Sequence, residues 1–111
     1  MADRILTFFF PDSPNPPSAP AYYIDRDMEK AAVRVYAQTA PMAGDFIFDI
    51  KATGVSIFNS NPSLPRTQNI EEAAEDFIPG DFSEGDLVTC NIVQSGGAKN
   101  VTVQLELNYC G

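Results

Sequence analysis

Residues 45–58, DFIFDIKATGVSIF, restrict the possible folds more than any other stretch of the chain. Phe46, Phe48 and Ile50 recur at every second position, with Asp49 and Lys51 between them. A period of two places successive side chains on opposite faces of an extended strand. One face is therefore aromatic and aliphatic, and the other is expected to be largely charged, with Ile47 breaking its wetness. Gly54 permits a backbone turn that a Cβ resists, and Val55, Ser56, Ile57 and Phe58 resume an extended apolar run. The segment reads as two antiparallel strands meeting at a short turn.

Strand signals continue on both sides. Residues 4–10, RILTFFF, are β-branched and aromatic, with Ile5 and Phe9 facing one way and Leu6, Phe8 and Phe10 the other. A strand apolar on both faces needs two covers. Either its own domain supplies both, or a neighbouring subunit supplies one. Residues 11–20 hold five prolines, a spacer without sheet hydrogen bonds of its own that spans up to ~30 Å when extended. The spacer makes residues 1–10 either an arm reaching another subunit or the start of a loop crossing one end of the fold.

A short strand is expected at 21–24, a longer one at 31–38, and a turn at Pro41 and Gly44. Residues 59–86 exceed an ordinary loop. Within them Asn69 and Glu72 fit a capping box for a helical turn ending near Phe77, and 66–70 fit a brief edge strand. Residues 87–94 and 100–109 alternate cleanly, and Ser95, Gly96, Gly97 and Ala98 are expected to join them as a hairpin.

Six to eight such strands in 111 residues predict an all-β fold: an antiparallel β-sandwich, jelly-roll-like, with a Pro-rich N-terminal arm. A partly open barrel is the alternative. The expected division is 1–20, strand and Pro-rich arm, and 21–111, the β-sandwich domain. The length suits one hydrophobic core without a metal or disulfide scaffold.

Seven basic and fifteen acidic residues give a net charge of −8, which disfavours nucleic acid and anionic membrane as partners. No run of apolar residues is long enough for a membrane-spanning helix. The N-terminus does not read as a secretory signal, so synthesis and start near Met1 in a cytoplasm are expected. Strand parity turns Cys90 inward with Val88 and Ile92, and Cys110 outward with Gln104, Glu106 and Asn108, which argues against a disulfide.

The sequence contains no histidine, which removes Ser-His and Cys-His nucleophilic schemes and nearly all zinc or copper sites. No phosphate-cradling glycine motif is present. Glu71, Glu72, Glu75, Asp76, Asp81, Glu84 and Asp86 form an acidic cluster. It does not follow the calcium-loop pattern and reads as a solvated acidic loop, with calcium or a glycosidase carboxylate pair as weaker readings. No catalytic residue and no cofactor are expected. Ile5, Phe8, Phe10, Tyr22, Tyr23 and Tyr36 are the candidate interface residues, the aromatics among them serving either a subunit contact or a sugar platform.

The order of these segments resembles a small module of tailed-bacteriophage virion proteins. In that family a segment of the form APtGxxlxxDIxxxGtSIF precedes one of the form lxxGDxltvdvxqvGsxxxgxxLTVqLxl. The matching residues are Ala40, Pro41, Gly44, Asp49, Ile50, Gly54, Ser56, Ile57 and Phe58, then Gly85, Asp86, Gly96, Val101, Thr102, Val103, Gln104 and Leu105. The resemblance covers about 30–107. The family often has Val or Ile where Cys90 stands, and a longer connection near 95–99. The resemblance implies a virion structural protein without chemistry of its own: a capsid decoration or head-fibre-base component, homo-oligomeric with a trimer favoured, partnered by other virion proteins. A tail-fibre module binding host glycans is the alternative it allows.

Overall fold

The computed structural model describes residues 3–10, 21–73, 77–78 and 80–110. These residues are all-β and form two antiparallel sheets packed face to face. The strands are β1 (Arg4–Phe10), β2 (Tyr22–Tyr23), β3 (Met28–Thr39), β4 (Phe46–Ala52), β5 (Val55–Ser56), β6 (Ser63–Leu64), β7 (Ile70–Ala73), β8 (Leu87–Gln94) and β9 (Lys99–Tyr109). One sheet has the order β1-β9-β3-β7; the other has β2-β8-β4-β5, with β6 also on β4.

The pairings are nested. β1 pairs with β9, β2 with β8, β3 with β7, and β4 with β5 and β6. The chain is thus one long antiparallel hairpin with its bend at β4–β6, rolled so that successive rungs fall in alternate sheets. This winding is that of a jelly roll, and the expected sandwich is the observed one. The Pro-rich spacer at 11–20 lies outside the described residues. The strand before it is no free arm here: β1 pairs along its whole length, from Arg4↔Leu107 to Phe10↔Val101.

Alternation decides what each strand buries. Leu6, Phe8 and Phe10 from β1, Val33, Val35 and Ala37 from β3, and Val101, Val103, Leu105 and Leu107 from β9 line one wall of the core. Phe46, Phe48, Ile50, Val88 and Cys90 line the other. Phe48 meets Phe58 edge-on at 6.4 Å, and Phe58 stacks on Phe77 at 5.5 Å. Each large side chain removed from water contributes about 1.5–3 kcal/mol. Ile24, Met28 and Phe82 are also fully enclosed.

Three local expectations are corrected. Residues 95–98 are not a hairpin, because β8 and β9 belong to different sheets; the segment crosses from one to the other. The capping box does not start a helical turn. The Asn69 side-chain amide donates instead to the carbonyls of Ala37 (2.9 Å) and Gln38 (3.3 Å), and Ile70–Ala73 pairs with β3 as β7; residues 74–76 lie outside the described set. Asp49, expected on a charged outer face, is only 6 % exposed.

The β4–β5 turn is as expected in kind. Ala52 faces Val55 across Thr53 and Gly54, which have φ of 49° and 84°. Two successive positive φ values make the two-residue turn whose twist suits a hairpin.

Candidate functional site

The outer face of the four-stranded sheet carries the feature that the core does not explain. Phe9 is registered with Thr102, Thr102 with Tyr36, and Tyr36 with Ile70. These four residues form one row crossing all four strands. Residues in register across antiparallel strands share a face. Phe9 is 52 %, Tyr36 49 % and Ile70 62 % exposed. Ile5, on the same face of β1, is half exposed as well.

Tyr36 stands between two hollows. One, of about 240 Å³, is lined by Arg34, Val35, Tyr36, Ile70, Thr102 and Gln104. The other, of about 460 Å³, is lined by Phe9, Tyr36, Gln38, Asn100 and Thr102. The polar groups around the row are engaged with one another: Arg34 pairs with Glu106, and the Asn100 amide donates to Gln38 Oε1 at 2.8 Å. The row itself contains no titratable carboxylate or amine.

The residues expected at an interface separate into four placements. Ile5 and Tyr36 lie on this outer face. Phe8 and Phe10 do not: both are 1 % exposed and belong to the chain's own core. β1 is apolar on both sides, and its larger set, Leu6, Phe8 and Phe10, is the one buried, leaving Ile5 and Phe9 outside. Tyr22 closes an edge within the chain. Its ring meets Phe8 edge-on at 5.2 Å, and its hydroxyl donates to the Thr7 carbonyl. Tyr23 is 56 % exposed on the other sheet, opposite Leu87. Phe9 and Ile70 are not among the residues expected at an interface. The signal for Phe9 was its parity with Ile5; Ile70 was hidden in a segment expected to start a helix.

The acidic loop is tied down by one of its own carboxylates and by one from the turn before β3. Asp86 Oδ2 accepts from the Ser83 N–H at 2.9 Å, and Asp27 Oδ1 accepts from the Glu84 N–H at 3.0 Å. Among the described residues no three acidic or thiol side chains converge as a metal site would require; Glu75 and Asp76 lie outside them. Lys30 Nζ donates to the Ile78 carbonyl at 2.7 Å and lies 5.6 Å from the Phe82 ring centre. Burial lowers its pKa, against a smaller opposing pull from Asp81.

The two thiols differ. Burial, and then the Asp49 carboxylate, push the Cys90 pKa far above its ordinary value. Cys110 is partly exposed and donates to Asp81 at 3.6 Å. Desolvation raises its pKa, followed by that hydrogen bond and the charges of Asp81, Glu29 and Asp27. Both thiols are free.

No family model, no curated protein and no solved structure matches this chain.

Proposed function

We propose that this chain is a non-enzymatic structural protein of a tailed-bacteriophage virion, a capsid decoration or head-fibre-base component that acts through protein–protein contacts. The observation carrying the reading is the uncharged row Phe9–Thr102–Tyr36–Ile70 on a sheet face that the chain's own core does not need. Exposed apolar surface arranged contiguously marks an interaction site. The jelly-roll winding is one that capsid domains use, and the resemblance to virion modules points the same way. The partners on this reading are other virion proteins and further copies of the chain, a trimer being favoured by the resemblance; the location is the virion, after synthesis in the bacterial cytoplasm. The absence of histidine in the whole sequence removes imidazole-based schemes, which is in keeping with a role through contacts alone.

Co-sedimentation of the purified chain with purified phage heads tests this. Saturable binding to heads, and none to bacterial cells, is expected. Failure to bind heads or tails removes the virion role.

A second reading, a tail-fibre module that grips host glycans, has one observation in its favour. The Tyr36 ring is bordered by Gln38, Asn100, Thr102 and Gln104, whose amides and hydroxyl suit sugar hydroxyls. Saturable binding to host polysaccharide that is lost in Tyr36→Ala would select it over the first.

A further inference from the structure

We infer that the outer face of the four-stranded sheet is where a second copy of this chain docks, with Tyr36 at the centre of the contact. This rests on the self-assembly part of the reading above only, and it makes that self-assembly a two-fold pair where the resemblance favours a trimer.

Charge supports a second copy as the occupant. The chain is strongly acidic overall, yet the row Phe9–Thr102–Tyr36–Ile70 carries no charge, nor does the Gln38–Asn100 pair beside it. Glu106, on the same face, is already paired with Arg34. Exposed charges farther apart than ~8–10 Å are largely screened at physiological salt. Two copies meeting on this row therefore bring no charged residue of the row against another, and charges lying beyond that screening length add little repulsion.

Area gives the same answer. Strands of 7, 11, 12 and 4 residues, each residue covering about 3.3 by 4.8 Å of sheet, present a face of roughly 540 Å². Two such faces bury roughly 1,100 Å² in total, which clears the ~1,000 Å² that a specific interface needs and is smaller than the standard size. The half-exposed Phe9, Tyr36, Ile70 and Ile5 supply roughly 100 Å² each of its apolar area.

The relief is self-complementary. Tyr36 is a ridge with a hollow on either side. The same face turned about a two-fold axis sets its own Tyr36 into one of those hollows, and Phe9 of one copy approaches Ile70 of the other. A two-fold contact of this kind is isologous and closes.

Analytical ultracentrifugation of the full chain at about 100 µM tests the inference. A mass of two chains is expected, and a trimer would overturn the two-fold contact. Tyr36→Glu should return it to a single chain, weakening association at least roughly 30-fold, as loss of a central hot-spot side chain does. Phe9→Lys should act in the same direction, and Tyr23→Glu, on the other sheet, should leave the mass unchanged. Far-UV circular dichroism confirms that each variant is folded; if Tyr36→Glu does not fold, Phe9→Lys and Ile70→Glu carry the test. A wild-type chain that sediments as a monomer overturns the inference, as does an oligomer that persists in folded Tyr36→Glu, Phe9→Lys or Ile70→Glu. Head binding by a monomer sinks this contact and leaves the virion role standing. An oligomer that Tyr36→Glu dissociates but that ignores heads does the reverse.

Discussion

The Ser56 hydroxyl donates to the buried Asp49 carboxylate at 2.6 Å, from β5 to β4 of one hairpin. The same oxygen accepts the Phe58 N–H at 3.2 Å, so one side chain serves the carboxylate and the exit of the turn. Asp49, Gly54 and Ser56 of the DIKATGVS stretch are thus acceptor, turn and donor of a single device. Removing the donor strands a buried carboxylate, which costs about 1–3 kcal/mol. Ser56→Ala is expected to lower stability by that amount in urea unfolding. Asp49→Ala combined with it should cost less than the sum of the two single changes, because both remove one interaction. Strict additivity would show that the bond contributes nothing.

The crossing between sheets depends on a close backbone approach. A Cβ on Gly96, where φ is 60°, would come within 2.3 Å of the Gly44 carbonyl oxygen, and that oxygen belongs to backbone that cannot step aside cheaply. The Gly96 carbonyl also accepts the N–H groups of Met42 and Ala43, each at 3.0 Å. Gly54 has a positive φ but nothing within 4 Å of an added Cβ. Gly96→Ala is therefore expected to cost about 2–4 kcal/mol, combining overpacking and backbone strain. Gly54→Ala should cost only about 1 kcal/mol. Urea midpoints of the two variants check the order, and equal losses would contradict the tight crossing.

Strand existence and facing were legible where one face was clearly wetter than the other. β8 occupies the expected residues 87–94, and the alternation of β9 runs from Val101 to Leu107 as read. Sheet membership was not legible. Ser95, Gly96, Gly97 and Ala98 have the composition of a turn, but composition does not say whether the chain returns to the same sheet or crosses to the other. Asn69 shows tertiary contact overriding a local signal: a side chain suited to capping a helix instead holds the loop to β3. β1 shows the limit of parity. With Phe at three successive positions, 8–10, either face reads as core, and only the register with β9 decides. The candidate site was half visible, because Tyr36 and Ile5 stood out while Phe9 and Ile70 acquire meaning only as members of one cross-strand row.

The free edge of β1 is closed by the segment around β2. Tyr22 donates to the Thr7 carbonyl, and Arg4 pairs with Asp25 at 3.3 Å. An unprotected apolar edge strand invites pairing with other chains. Tyr22→Phe keeps the ring on Phe8 and removes only the donor, so a loss of about 1 kcal/mol is expected. The Arg4–Asp25 pair is solvated, with Asp25 67 % exposed, so Arg4→Ala should change stability by less than about 1 kcal/mol. Aggregation on storage, followed by light scattering, should rise in Tyr22→Phe more than in Arg4→Ala; the opposite order would assign edge protection to the ion pair.

The buried thiol sets an alkaline limit to stability. Cys90 is fully enclosed, and its folded-state pKa lies well above the ordinary value of 9.0. Below about pH 9 the thiol is protonated in both states and contributes no pH dependence. Above that, the unfolded chain loses the proton and the folded chain keeps it, so the unfolded state is favoured by about 1.4 kcal/mol for each further pH unit. Other groups titrate in the same range, among them Lys30, whose lowered pKa acts in the opposite direction. The difference between the wild type and Cys90→Val isolates the thiol. Urea unfolding at pH 7, 9, 10 and 11 should show the wild type losing stability relative to Cys90→Val only above pH 9. Alkylation should follow the same logic. At pH 8 iodoacetamide should modify Cys110, faster in Asp81→Asn because the change removes a negative charge and the carboxylate that accepts from the thiol. Cys90 should react only once the chain is unfolded. Rapid labelling of Cys90 in the folded protein, or parallel pH profiles for the two chains, would mean that the thiol is not sealed between the sheets.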